Sequence, residues 1–566
     1  MTQRVGIRDA LRARVGDGLL QAASRFRPLT GPRGGALRPL DVPRPFADAG
    51  RGQGLLEGRW AYGSQSIDVG AHGHPFSVAL PSERFAAWVH GFDWVGDLFG
   101  VPGGEAKAAQ LARQWSGLYT GSNPFVFAPD LLALRLLNAG RMLEGLAGSV
   151  DDPSDTVTAR YNSQARRLRA MLPRLSPGLP ALRGPAALVI HAARLPESGR
   201  LVLARALDAL DAQAELQVLA DGGHVSRSPA ATMDALDILS SVDAVLGAAG
   251  LEGSRSLSRA VDRLRPMVAT LRHTDGGLAL FHGGDARDPR KIDALLSGGD
   301  AQPFSYGPHS GYHRLEAGGT VALVDTGGVA PRPFDLDAHL APLSVEVSTQ
   351  EGRLLTNCGW HPTAAADWRR PVRSSAAHCA LTLADRSPGE ILEDGFVADS
   401  VGAAVAVEPE NVRARRKEQA SGIWLESSHD GYKEAHGLVH RRRLFVGETG
   451  DDIRGEDSLF VPMGDVPVSR DPVPFTIRFH FHPDVRVSLA QDLTSALLVQ
   501  KGRTAWRFRT DGGPLVVEPS VYLGASARPV RCQQLVIAGR AMSDGDGQAR
   551  ANRVRWSLRR LTEPSA

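Results

Sequence analysis

The stretch from Phe334 to Arg386 decides the fold of this chain. It reads Phe334-Asp-Leu-Asp-Ala-His339, then Leu343-Ser-Val-Glu-Val-Ser348, then Leu354-Leu-Thr-Asn357-Cys-Gly, and, after a Trp368-Arg-Arg loop, Ser374-Ser-Ala-Ala-His378-Cys-Ala-Leu-Thr-Leu. Short alternating runs between turns predict β-strands. Two imidazoles and a side-chain oxygen arriving from neighbouring strands, from His339, His378 and Asn357, would form a partial metal-ligand set. The alternative is that each is a hydrogen-bonded residue in the core of a sheet.

Similar strand-like runs recur throughout the C-terminal half. Each is bounded by Gly, Asp or Pro turns, and many short strands at this spacing predict an all-β sandwich. In Thr476-Ile-Arg-Phe-His-Phe-His482 the apolar residues share one face. Arg478, His480 and His482 share the other face, which borders a cleft or meets water. The predicted strands lie at 319–325, 343–348, 378–384, 439–446, 475–482, 494–500 and 514–519.

Between residues 82 and 271 the apolar pattern has a helical period. The best-marked helix start is Ser228-Pro229, where serine acts as N-cap and proline occupies the first helical position. Short loops between many helices predict antiparallel helical hairpins, and periodicity alone would allow a plain bundle. The predicted helices lie at 104–118, 129–147, 158–173, 180–194, 197–219, 229–248 and 254–271.

Five motifs together resemble those of the heparinase II/III family of polysaccharide lyases. They extend over roughly residues 75–545 and are specific in combination, although each alone is weak. The motifs are Asp337-Ala-His339-Leu-Ala-Pro-Leu-Ser344, Asn357-Cys-Gly359, Ala377-His378-Cys-Ala, His429-Asp-Gly-Tyr432 running into His440-Arg-Arg-Arg443, and Asp221-Gly-Gly-His-Val-Ser-Arg-Ser-Pro229.

The resemblance implies an α+β multidomain fold. An N-terminal incomplete (α/α) toroid of helical hairpins would be followed by a C-terminal antiparallel β-sandwich. We therefore expect an N-terminal helix and a Pro/Gly/Arg-rich linker at 1–54, the toroid at 55–300 and the sandwich at 301–566. The amphipathic helix itself is predicted at 6–27.

A lyase of this kind cleaves a uronic-acid polysaccharide by β-elimination. It must neutralise the C5 carboxylate, remove the α-proton and protonate the leaving oxygen. The catalytic candidates are His224 and Asn162 together with His273, which stands beside Asp275 in a predicted turn. His224 and Arg227 precede a helix N-terminus, which favours an anion, but the same segment also fits a well-capped loop. The candidates for substrate binding are Arg227, Arg272 and Tyr432. The resemblance implies zinc ligands at His339, Asn357 and His378.

Several positions depart from the family pattern. Ala230-Ala231 stands where active lyases carry Tyr-His, and Asn357 stands where the family has aspartate. The family's Asn-His pair has only a loose counterpart in Tyr161-Asn162. Two hypotheses follow: a lyase acting on an acidic polysaccharide, or a catalytically degenerate relative that binds an acidic glycan or a cell-envelope component.

Composition and charge disfavour several other classes of protein. The 566 residues carry a net charge of only +3, which disfavours general nucleic-acid binding. Arg441-Arg442-Arg443 alternate across a predicted strand, and exposed charge at a sheet edge is the ordinary explanation. Three cysteines give no disulfide framework. No apolar run is long enough for a transmembrane helix and no signal peptide is visible, whereas the resemblance implies the periplasm or cell envelope.

Overall fold

The computed structural model describes residues 35–121, 123–465, 471–501, 504–542 and 552–561. Within them the chain forms two compact units. One comprises 35–218 and 233–264, and the other comprises 219–232 and the described residues from 265 onward. The boundaries predicted at residues 54 and 300 stay predictions, and the amphipathic helix predicted at 6–27 lies outside the described residues.

The first of these units is built mainly of helices around an aromatic core. Trp60 and Trp94 are fully buried with their ring centroids 5.0 Å apart, and Trp115 packs nearby against Phe92 at 5.3 Å. Local chemistry fixes helix starts, since the Asp155 carboxylate accepts the Val157 and Thr158 backbone N–H groups. The predicted helices 104–118 and 229–248 have the bounds that the structure gives them.

The described helices, over both units, are labelled in chain order: α1 Ala49–Leu56, α2 Glu83–His90, α3 Val95–Phe99, α4 Gly104–Leu118, α5 Pro129–Arg141, α6 Leu143–Leu146, α7 Thr156–Met171, α8 Leu179–Ala192, α9 Arg200–Gln217, α10 Pro229–Ala248, α11 Arg255–Thr270, α12 Pro289–Leu296, α13 Phe396–Val401 and α14 Lys433–His436.

The second unit is built mainly of antiparallel sheets, confirming the predicted all-β half. The described strands, over both units, are β1 Arg59–Tyr62, β2 Gln65–Asp68, β3 Tyr306–Gly307, β4 Tyr312–Ala317, β5 Thr320–Asp325, β6 Val345–Thr349, β7 Gly352–Leu355, β8 Leu381–Leu383, β9 Glu390–Ile391, β10 Val405–Val407, β11 Val412–Gln419, β12 Gly422–His429, β13 Val439–Gly447, β14 Asp452–Phe460, β15 Val473–His480, β16 Arg486–Leu489, β17 Ser495–Val499, β18 Ala505–Thr510, β19 Leu515–Tyr522, β20 Val530–Ala541 and β21 Arg553–Leu561.

Three sheets share one apolar core in this unit. Their strand orders are β11-β12-β13-β14-β21-β18-β17-β16, β19-β20-β15-β8 and β3-β4-β5-β6-β7. Because side chains alternate along a strand, each sheet turns one face inward. Ile477 and Phe479 of β15 and Trp556 of β21 lie in this core, as the alternation predicts. His480 is also buried, with Nδ1 against the Ser520 hydroxyl at 2.7 Å, so it does not meet water.

No helix among the described residues combines the length and the apolar character needed to cross a membrane.

Candidate functional site

Asp325 lies at the centre of a buried polar cluster at the end of β5. Its Oδ2 accepts a hydrogen bond from His282 Nε2 at 2.8 Å, and its Oδ1 pairs with the Arg227 guanidinium. Arg227 also donates from Nε to the Ser310 carbonyl at 2.7 Å. The side chains of Arg227, Asp325 and His282 are almost wholly excluded from water. The cluster therefore holds a desolvated but paired charge.

Two residues of this cluster have left-handed backbone. Arg227 has φ 63° and His282 has φ 47°. Residues other than glycine seldom adopt this region, so each is held there by its surroundings. Arg227 precedes the N-cap Ser228 of α10, and the Arg227 carbonyl accepts a hydrogen bond from the Tyr312 hydroxyl. The turn therefore aims the guanidinium at the end of β5.

A chain of imidazoles extends from Asp325. His282 Nδ1 accepts the His339 backbone N–H at 3.0 Å, and His339 Nδ1 lies 2.7 Å from His378 Nε2. His378 Nδ1 lies 2.8 Å from the Ser374 carbonyl, which only accepts, so the ring proton sits on Nδ1. The Gly283 N–H donates to His339 Nε2 at 2.9 Å and the His282 N–H donates to His339 Nδ1 at 3.1 Å, so both nitrogens of this ring face backbone donors.

Burial explains the protonation states in the cluster. For Asp325, burial alone raises the pKa, but Arg227 and His282 outweigh it and lower the pKa to about 2. Burial lowers the pKa of His378 to about 4 and holds the pKa of His339 well below its ordinary value. At neutral pH the cluster therefore contains one ion pair and uncharged imidazoles.

A second buried pair holds His273. Its Nε2 lies 3.0 Å from Glu346 Oε2 and its Nδ1 lies 2.8 Å from the Ser348 hydroxyl, with both ionisable side chains fully buried. Asp275, the neighbour expected to orient this ring, instead accepts from Arg353 Nε at 2.8 Å. The carboxylate that contacts His273 comes from β6, 73 residues later in the chain.

Two of the three residues expected to hold zinc, His339 and His378, do meet, but the donor atoms of all three are used by the protein. The His339 and His378 nitrogens hydrogen-bond to each other, and Asn357 Oδ1 accepts the Cys379 N–H at 3.1 Å. Asn357 Nδ2 is buried without a hydrogen-bond partner among the described residues. No group of three His, Cys, Asp or Glu side chains placed to share a metal ion occurs in the described part of the chain. As arranged, these donors do not fit a zinc ion, and zinc binding stays a prediction.

We expect Asn357→Asp to bind zinc and the wild-type protein not to bind it. Zinc should leave the thermal unfolding midpoint of the wild-type protein unchanged, because binding would cost the His339–His378 hydrogen bond without gaining a carboxylate. The variant supplies that carboxylate, so zinc should raise its midpoint and a chelator should reverse the rise. Calorimetry with and without zinc measures both proteins. A zinc-dependent rise in the wild type would contradict the expectation.

The remaining candidate residues are buried or engaged within their own units. In the helical unit Asn162 Oδ1 lies 2.8 Å from His191 Nε2, and its Nδ2 donates to the Gly35 carbonyl at 3.1 Å. In the sheet unit His224 is buried, with Nδ1 2.7 Å from the Ser226 hydroxyl. Arg272 pairs with Asp293 at 2.6 Å. The Tyr432 side chain is buried, and its hydroxyl donates to the Leu381 carbonyl at 2.9 Å.

Sequence reasoning missed Asp325, His282 and Glu346. Asp325 stands in Val324-Asp-Thr-Gly327 at the end of a strand, and a charged residue closing an apolar strand was its signal. Glu346 has the same kind of signal, since it lies between Val345 and Val347 in a strand and is wholly buried. A buried acid in such a strand needs a partner, but its partner could not be identified from spacing.

Comparison with known proteins identifies the lineage. The family model described as "Heparinase II/III-like, C-terminal" matches residues 299–557. FtsZ-localized protein C of Caulobacter vibrioides (strain NA1000 / CB15N) is 35% identical over 498 residues, covering 87% of this chain and 85% of that protein. The chain belongs to the heparinase II/III-like family.

Solved structures of heparinase II/III-like proteins share the fold at low identity. A structure of heparinase III has a TM-score of 0.67 at 13% identity, covering 97% of this chain and 90% of that one. The heparan sulfate lyase HepC from Pedobacter heparinus has a TM-score of 0.60 at 13% identity, covering 99% and 90%. The expected fold class, an incomplete (α/α) toroid followed by an antiparallel β-sandwich, is thereby confirmed, and the fold is one that polysaccharide lyases use.

Proposed function

We propose that this chain is a catalytically degenerate heparinase II/III-like protein that binds an acidic glycan of the cell envelope without cleaving it. The observation that supports this is the burial of its candidate catalytic groups. His224, His273 and Asn162 are each at most 4% exposed, and each has a hydrogen-bond partner within the protein. A general base must come within hydrogen-bond reach of the proton that it removes. In this proposal, burial and internal hydrogen bonds keep the three groups away from a substrate proton.

The cavity beside the Asp325 cluster is too small for catalysis on a sugar, which favours glycan binding at another surface. It is lined by Arg227, His282, Asp325 and His339 and has a volume of about 10 Å³. A cavity of roughly 10–15 Å³ holds one water molecule, whereas a sugar ring needs far more. In the proposed function the cluster therefore stabilises the sheet unit rather than acting on substrate.

The curated relative suggests where such a protein would work. FtsZ-localized protein C is named for its localisation with FtsZ, and the likeness extends along most of both chains. We propose that this chain likewise localises with FtsZ and binds its glycan at that place. A fluorescent fusion imaged together with labelled FtsZ tests this part. Uniform distribution of the fusion in cells with assembled FtsZ would overturn it.

The first test of the proposed function is turnover. The folded protein is incubated with hyaluronan, heparan sulfate, alginate and polygalacturonate while ultraviolet absorbance follows the unsaturated product. We expect no increase, because no candidate base is placed to remove the C5 proton, and we expect binding of at least one polymer on a glycan array. An active heparinase III serves as the positive control.

Turnover would support the alternative, a lyase that acts by β-elimination. The family and its fold keep that alternative open, since related folds belong to lyases. Turnover that His224→Ala or His378→Ala abolishes, with unfolding midpoints preserved, would replace the binding function with the enzymatic one.

A further inference from the structure

The outward face of the eight-stranded sheet is dominated by arginine. On the inner face Leu444, Ile453 and Leu558 enter the core, so their neighbours along each strand point outward. The outward positions include Arg443 of β13, Arg454 of β14, Arg555 and Arg559 of β21, and Arg507 and Arg509 of β18. With a net charge of +3 for the whole chain, this concentration on one surface is not a general property of the protein.

An open groove of about 540 Å³ crosses this face. Its lining includes Trp424, Arg443, Arg454, Arg509 and Arg555. Trp424 is 41% exposed and rests on the buried Phe445 ring, with centroids 4.6 Å apart. The groove thus has an aromatic platform at one end and guanidinium groups along its length. Its volume lies in the roughly 300–1,000 Å³ range of small-molecule sites.

Some of these cations are held in place and others are available. Arg443 Nη1 pairs with Glu456 at 3.2 Å, and Arg555 Nε pairs with the same carboxylate at 3.1 Å. The side chains of Arg507 and Arg509 of β18 are exposed, and they make no hydrogen bond or ion pair with any other described residue. The paired arginines are therefore fixed in direction, while those of β18 have donors to offer to a ligand.

We propose that this groove binds an acidic oligosaccharide, at a site on the sheet face. A sugar ring would lie on Trp424, and its carboxylate or sulfate groups would accept from Arg509, while Arg454 is held by its ion pair with Asp452. This deepens the proposed function, on which it rests, because it assigns the glycan to a surface away from the buried imidazoles. Guanidinium groups bind carboxylate and sulfate through two parallel hydrogen bonds, which suits a charged sugar.

Two features favour a glycan over other polyanions. The groove crosses β13, β14 and β21, whose backbones are paired on both sides, so a peptide cannot add there as a strand. The carboxylates of Glu456 and Asp511 lie among the arginines. They repel a continuous phosphate surface such as a lipid bilayer, whereas they accept hydrogen bonds from sugar hydroxyls.

The test measures binding of defined heparin and hyaluronan oligosaccharides to the full chain by calorimetry. Trp424→Ala and Arg509→Glu should each weaken binding by about tenfold, or about 1.4 kcal/mol. Arg531→Glu makes the same change of charge at an exposed position of β20, in the four-stranded sheet, and should change the Kd by less than about twofold. Thermal unfolding of each variant shows that it is folded. Raising the salt concentration should weaken the wild-type interaction.

The outcomes separate this site from the proposed function. Wild-type protein that binds no acidic glycan overturns both. Wild-type binding that survives Trp424→Ala and Arg509→Glu overturns the sheet-face site and leaves the proposed function standing. If Arg531→Glu weakened glycan binding as much as Arg509→Glu, the loss would come from the change in net charge, and the proposed site would also be overturned. Tighter binding to poly-glutamate or to phosphatidylglycerol vesicles would assign the groove to a different ligand.

Discussion

Asp325→Ala should lower the free energy of unfolding by about 3–5 kcal/mol, the cost of leaving a buried charge without its partner. Arg227 would keep its charge in a site where its guanidinium is 6% exposed. Its Nε bond to the Ser310 carbonyl would remain, but a carbonyl does not neutralise the charge. His282 would lose its acceptor as well. Urea unfolding at pH 7, followed by circular dichroism, measures the change.

Asp293→Ala is the matched control. It also removes a carboxylate from an arginine, but Asp293 is 61% exposed and its partner Arg272 is half-buried. An exposed pair contributes about 0–1 kcal/mol, so the control should remain close to the wild type. Comparable losses in the two variants would show that the Asp325 cluster is no more than an ordinary surface pair. Arg227→Met with Asp325→Leu should recover part of the loss, because no charge is then left unpaired.

Much of the fold could be predicted because its determinants are local. Helices 104–118 and 229–248 have apolar residues that recur every three or four positions, and their predicted bounds are those of the structure. The strand alternation of Ile477 and Phe479 likewise predicted the buried face. Burial of the opposite face depends on the segment around Ala376, whose carbonyl lies 3.0 Å from His480 Nε2. For that reason His480 was not distinguishable from a solvent-facing residue.

Arg441-Arg442-Arg443 shows the same limit of prediction from local sequence. The sequence predicted alternation and offered an exposed sheet edge as its explanation. In the structure β13 lies between β12 and β14, so it is not an edge. Arg442 is buried and donates to Asp457 at 2.8 Å, while Arg443 turns outward into the groove. The two-residue alternation of the strand predicted which side chains share a face. The order of strands in the sheet, which the sequence did not reveal, decides whether each face contacts protein or solvent.

The candidate site was predicted only where a motif carried it. His339 and His378 were paired by resemblance, and their rings do meet. Asp325, His282 and Glu346 were missed because their partners lie 43 to 98 residues away and no local spacing links them. Contacts of that range are set by tertiary packing. A single sequence supplies the charge that needs a partner and not the partner itself.

Stability should fall steeply as the pH drops from about 6.5 towards 4. Burial lowers the pKa of His378 to about 4 and of His480 to about 3, and it lowers the pKa of His282 and His339 as well. The folded protein therefore binds fewer protons than the unfolded chain in this range, so its stability rises with pH. Each such ring contributes about 1.4 kcal/mol per pH unit. Above the ordinary histidine pKa these rings contribute no further dependence.

His378→Gln provides the decisive comparison. It removes one buried titrating ring, so the loss of stability between pH 6.5 and 4 should shrink by about 3 kcal/mol, the shift of His378 expressed as free energy. His309→Gln changes an exposed histidine and is the matched control. Below pH 4 a further loss belongs to Asp325, whose pKa of about 2 lies under its unfolded value, so its contribution disappears as acid protonates it. Urea midpoints across this range give both slopes. A flat profile from pH 6.5 to 4 would mean that the imidazole chain takes up protons without unfolding, and the neutral hydrogen-bonded chain from His339 to His378 would then be the wrong description of the site.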